Sequence, residues 1–205
     1  MRARIGMGSN PRGMAFVLIF LVLTLPACSG PSFKFPKPEL SGIENSSHAG
    51  DTPSSRAAIS AMQVVAKISD TEFVPPLMRL IEASSSCNGC DKLREPIKDS
   101  LRGSHRLYVE LLRAENAIRL SAPDTEKDKQ IVATSKELIR ALKIIVALTL
   151  ESLADADAYV RSSEEWNLSQ LSKENETSLQ KTSHQLGAAK KQVLQAKGKF
   201  LAALN

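Results

Sequence analysis

The residues best equipped for chemistry are Cys87 and Cys90, in the run Cys87-Asn88-Gly89-Cys90. Two thiols at this spacing can close a small disulfide, exchange it with another thiol pair, or offer half the ligand set of a tetrahedral metal. Thiol exchange works best when a sulfur sits at the start of a helix that follows a strand, where the helix dipole lowers the thiol pKa. Asp91 can cap a helix after Cys90, which supplies part of that arrangement, but no strand pattern precedes the pair. Structural zinc takes four protein ligands, and the chain has no second cysteine pair, so no metal is expected. A c-type haem needs histidine after the second cysteine, and Asp91 stands there. Two readings of the pair stay open: a clamp across a turn, and a redox-active dithiol. Around so short a loop the clamp is worth about 2 kcal/mol in the chain-entropy picture.

Other reactive side chains do not converge. His48, His105 and His184 are scattered along the chain and read as solvated residues. Asp155 and Asp157 lie two apart, so a helix turns them to different faces and they make no acid/base pair. Glu164 and Glu165 suit the start of a helix. No Gly-rich phosphate loop, zinc-protease helix motif or nucleophile elbow is present. No catalytic residue and no cofactor is therefore expected, and the chain reads as a non-enzyme. A small apolar ligand held between helices would need a pocket lined by Leu142, Ile145 and Val146.

The elements around these residues read as helix throughout, and the expected fold is an elongated all-α bundle of four to five helices. Ser54 or Ser55 can cap a first helix over 56–69, with Ile59, Met62 or Gln63, Val65 and Ala66 on its apolar face. Asp70 and Thr71 are expected to break it. Pro75 and Pro76 suit the first turn of a second helix ending near Ala83, with Leu77, Met78, Leu80 and Ile81 as its apolar residues. A loop through the cysteines leads to a third helix from about Asp91 to Leu120, kinked or restarted at Pro96. Leu93, Ile97, Leu101, Tyr108, Leu111, Leu112 and Ile118 form its apolar face, and Gly103 weakens its middle by about 1 kcal/mol relative to alanine.

Ser121-Ala122-Pro123-Asp124 ends that helix and caps a fourth, over 125–161. Two neighbouring stripes, one through Ile131, Leu138, Leu142, Ile145 and Thr149, the other through Val132, Ile139, Val146, Leu150 and Leu153, give it a broad apolar face. Arg140, Lys143 and Glu151 interrupt the run and rule it out as a membrane span. Ser162-Ser163-Glu164-Glu165 fits a capping box, with Trp166 placed to staple the start of a fifth helix to Leu204. There Leu179, Leu186, Val193 and Phe200 repeat every seven residues, with Thr182, Ala189, Ala196 and Ala203 three further on, like a coiled-coil seam. The seam fits antiparallel packing on the fourth helix, or a second chain.

The first 27 residues have the anatomy of a secretory signal. Arg2, Arg4 and Arg12 give a positive start, Met14 to Leu25 is nearly unbroken apolar sequence, and Pro26-Ala27 precedes Cys28. A span across a bilayer needs about 20 apolar residues, and this run stops well short. Leu25-Pro26-Ala27-Cys28 resembles the lipobox of bacterial lipoproteins, with Pro26 where a small or β-branched residue is usual. The resemblance covers residues 1–28. It implies a diacylglycerol thioether on Cys28, cleavage before it, and attachment to the membrane by two or three acyl chains. A retained membrane helix, and an ordinary signal cut near Ala27, are the alternatives. Ser29 after the cysteine suggests the outer membrane, by resemblance to the enterobacterial sorting rule.

Export leaves Cys87 and Cys90 as a pair in an oxidising compartment, where a disulfide between them is expected. The sequons at Asn45, Asn167 and Asn175 carry no meaning in a bacterial lipoprotein. Residues 28–55, rich in proline, glycine and serine, read as a flexible tether. Phe33 and Phe35 within it are suited to the lipid interface or to docking on the folded part. The helical domain is expected over 56–205.

The formal charge of +5 falls to +2 once the three leader arginines are removed, and aromatic residues are only 4%. With no basic run beyond Lys190-Lys191, Lys197 and Lys199, and few aromatic stacking partners, nucleic acid is not an expected partner. The expectation is an envelope lipoprotein facing the periplasm or the cell surface. It touches the bilayer through Cys28 and binds another protein, or a second copy of itself, through its long helices. A periplasmic thiol-redox protein and a small-ligand module are the alternatives.

Overall fold

Helix formation begins where Thr52 meets Pro53. Proline has no N–H to lose in a first turn, and its fixed φ suits that position. Thr52 is extended (φ −107°, ψ 155°), and its side chain accepts a hydrogen bond from the Ser55 N–H. Thr52 therefore caps α1 (Pro53–Ile68), in place of the expected Ser54 or Ser55. The computed structural model describes residues 40, 42–43, 52–85, 90–163 and 168–205. The tetrad ending in Cys28, the segment read as a leader, most of the segment read as a tether with Phe33 and Phe35, His48, Cys87 and the Glu164–Asn167 junction lie outside the described residues.

Asp70 and Thr71 do not break the chain. They belong to a π-helical turn, Ser69–Phe73, that joins α1 to α2 (Val74–Ser85) without a gap. The cause lies ahead in the sequence. Pro75 and Pro76 have no N–H, so the carbonyls of Thr71 and Glu72 lose their α-helical donors. The wider turn is closed by the Val74 N–H bonding to the Ser69 carbonyl, and it rotates Phe73 into the core at 1% exposure.

A 3-10 turn, Cys90–Leu93, leads into α3 (Arg94–Leu120). Pro96 falls in the first turn of α3, where proline is tolerated. The buried face of α3 runs through Ile97, Ser100, Gly103, Ser104, Leu107, Leu111, Ala114 and Ile118. Leu112, expected on that face, is 43% exposed, because it lies one position round the helix from Leu111. Gly103 does more than weaken the helix. A Cβ at this position would collide with the Glu72 carbonyl oxygen and stand 3.4 Å from Phe73 Cα. Glycine lets the π turn lie directly on α3.

α4 (Glu126–Ser163) has 38 residues, about 57 Å of helix. Both expected stripes are buried, except that Leu150 is half-buried. Its buried hydroxyls are satisfied within the helix, Ser135 bonding to the Ile131 carbonyl and Thr149 to that of Ile145. α5 (Leu168–Leu204) returns along α4. Lys199 Nζ meets Glu137 Oε1 at 2.5 Å, which sets the pair antiparallel. Thr182, Leu186, Ala189, Val193, Ala196, Phe200 and Ala203 are all buried, so the heptad seam serves packing on α4 within the chain. The Leu179 side chain lies outside the described residues.

α1 and α3 also pack on α4, and α2 packs on α3. Ser54 Oγ donates to the Ala122 carbonyl, placing the start of α1 beside the end of α3. Lys143 Nζ reaches Glu115 Oε2 at 2.8 Å, tying α4 antiparallel to α3. Arg79 and Asp99 join α2 to α3. One apolar cluster runs through all five helices. Leu40 and Ile43, from the segment read as tether, are fully buried in it. The Ile43 N–H bonds to the Leu40 carbonyl across a turn in which Gly42 takes φ +92°, beside Leu201 of α5. The molecule thus has a base, where Leu40 and Ile43 lie and α1 and α4 start, and a tip, where α4 ends and α5 begins. No helix among the described residues is long and apolar enough to cross a membrane.

Candidate functional site

The densest polar constellation among the described residues is at the base. Thr125 caps α4, a role expected of Asp124: its carbonyl accepts from the Lys129 N–H and its Oγ1 from the Asp128 N–H. Asp128 answers, its Oδ2 accepting from the Thr125 N–H at 3.2 Å and from Thr125 Oγ1 at 2.6 Å. This is a reciprocal capping box. The second carboxylate oxygen reaches further, accepting a 2.6 Å bond from Thr52 Oγ1, the cap of α1. One carboxylate therefore locks the first turns of two helices together. Asp128 is 3% exposed. Hydrogen bonds from Thr125 first, and then from Thr52, stabilise its charged form and hold its pKa down to about 2.

The chemistry available there is structural. A carboxylate whose lone pairs are filled by hydroxyl and amide donors is a poor base. A second carboxylate, Glu95, is lowered by its hydrogen bond to Lys98 and then by the charge of Lys98 on the surface of α3. An open recess of about 720 Å³ at the base is lined by Glu126, Lys127, Lys129, Gln130, Ala202, Ala203 and Asn205. At the joint between α1 and α2, Ser69 Oγ is buried without a hydrogen-bond partner.

The residues singled out from sequence do not gather. Cys90 opens the 3-10 turn before α3, but its side chain and the whole of Cys87 lie outside the described residues. His105 and His184 are exposed on α3 and α5. Leu142, Ile145 and Val146 are packed at 0 to 1% exposure in the common core. Among the described residues no group of three or more His, Cys, Asp or Glu side chains is placed to hold a metal ion.

The clasp at Asp128 had two signals in the sequence. Thr125 and Asp128 stand at capping-box spacing, and Pro53 marks the residue before it as a cap. Their meeting across 76 positions had none. Comparison with protein-family models, curated proteins and solved structures finds no match.

Proposed function

We propose that the mature chain is a lipid-anchored protein of the bacterial cell envelope whose helical body is a structural or protein-interaction subunit, not an enzyme. The observation that carries this reading is the tetrad Leu25-Pro26-Ala27-Cys28 behind a basic start and an apolar run. The helical body suits the role. Its α4 is about 57 Å long, and the described core is built of packed apolar side chains. Expression of a Cys28→Ser variant in the native host tests the anchor. The wild-type chain is expected in the membrane fraction and the variant outside it; equal membrane retention contradicts the reading. Cross-linking in the intact envelope is expected to capture a second protein or a second copy.

A thiol-redox role for Cys87 and Cys90 is favoured by one feature: Cys90 stands where the backbone enters a helical turn running into α3. A double Cys87→Ser, Cys90→Ser variant separates the readings. Loss of thiol exchange with the fold intact supports redox chemistry, and a small fall in Tm alone supports a clamp.

A further inference from the structure

The hairpin of α4 and α5 is electrically polar along its length. Residues 146–189, its tip half, contain seven acidic and three basic side chains. In the base half the balance reverses. Residues 126–145 hold five basic and three acidic side chains, and residues 190–205 hold four lysines and no acid. Lys199 is engaged by Glu137, whereas Lys127, Arg140, Lys190 and Lys191 all stand at the surface. α5 lies at the edge of the described bundle, with α4 as its main helical neighbour, so no other described helix covers its outward side.

The entry of the chain is at the same end. Leu40 and Ile43 are buried, with Gly42 next to Leu201 of α5. Only 11 residues separate Cys28 from Leu40. A chain of that length spans at most about 40 Å when fully extended, less than the length of the hairpin. An anchor at Cys28 therefore keeps the base close to the bilayer and leaves the tip free to swing away. Basic side chains near a surface of anionic phospholipid are attracted within about 10 Å at moderate salt, and acidic ones are repelled.

We propose that the base half of the α4–α5 hairpin, chiefly residues 190–205, is a docking surface for anionic phospholipid headgroups. It holds the tip, and the end of the bundle carrying Cys90, away from the bilayer. The proposal rests on the anchor reading for its proximity, and its test separates the two. The native protein is reconstituted into vesicles of phosphatidylcholine, with and without about one third phosphatidylglycerol, a fraction chosen to give the surface a negative potential. Flotation reports attachment. Acetylation of individual lysines by a water-soluble reagent, read by mass spectrometry, reports contact. The reactivity of Lys181, exposed on α5 beyond residue 190 from the base, reports the tip half.

With anionic lipid, Lys190 and Lys191 are expected to react at least about threefold more slowly, an effect lost in high salt. Lys181 is expected to be unchanged. Flotation on both vesicle types with equal lysine reactivity overturns the docking surface and keeps the anchor. Flotation only on anionic vesicles at low salt keeps the surface and overturns the anchor. Equal slowing of Lys181 on anionic vesicles overturns the orientation.

Discussion

Helices α3 and α5 both bury small residues, but against different neighbours. On α3, Ser100, Gly103 and Ser104 are buried, and at Gly103 another stretch of backbone, the π turn, lies against the helix. On α5, Ala189, Ala196 and Ala203 alternate with Leu186, Val193 and Phe200 along a seam facing α4. Its glycines, Gly187 and Gly198, have open space where a Cβ would stand. In α3 a missing side chain is the contact itself. In α5 the buried alanines permit close approach, the few large residues supply most of the buried area, and the glycines contribute nothing to packing. Small residues in one chain thus have three uses, and only their neighbours tell them apart.

The largest expected effect is at the seam. Phe200 is fully buried, and Phe200→Ala is expected to cost about 3–5 kcal/mol by denaturant unfolding. A loss below about 1 kcal/mol would show that α5 contributes little to the common core. Gly103→Ala comes next. The collision with the Glu72 carbonyl is with backbone, so the gain in helix propensity is expected to be outweighed by a net loss of about 1–3 kcal/mol. A more stable variant would mean the π turn can move off α3 at little cost.

The clasp between α1 and α4 gives a smaller effect. Thr125→Ala removes a cap and is expected to cost about 1 kcal/mol. The pH dependence has a definite sign. The Asp128 carboxyl lies at about 2 when folded, against 3.8 for the free group, so its contribution is complete above pH 3.8 and lost as pH falls towards 2. Asp128→Asn is expected to flatten the stability profile in that window, measured by unfolding at successive pH values. An unchanged slope would place the acid sensitivity elsewhere. The smallest effect, and the one of opposite sign, is at Gly187. Gly187→Ala fills open space on an exposed helical face and is expected to raise stability by about 0.4–1 kcal/mol. A loss there would remove the contrast with Gly103.

Periodic features were legible in the sequence because burial on one helix face repeats with the helix. The seven-residue spacing from Leu186 to Phe200 and the two stripes of α4 are placed by that rule alone. Leu112 shows its resolution: beside Leu111 on a helix, pattern cannot choose which of two adjacent leucines faces in. Caps were blurred for a similar reason, since Thr52, Ser54 and Ser55, or Asp124 and Thr125, are all able to cap. The joint at Ser69–Phe73 was not legible. Asp70 and Thr71 argue for a break, and the effect of Pro75 and Pro76 on carbonyls four residues earlier matters only once Gly103 offers a surface to receive them. Nor was the burial of Leu40 and Ile43 visible, because two apolar residues in a segment rich in proline, glycine and serine carry no period. The thiol pair and the lipobox-like tetrad at Leu25–Cys28 are features of composition and spacing, and they direct the functional proposal without help from packing.

The functional account depends on Cys28. Intact-mass measurement of the protein isolated from its native envelope tests it most directly. The expected result is a chain that starts at Cys28 and carries a diacylglycerol group with its fatty acids. An unmodified chain that still begins at Met1 would contradict the account.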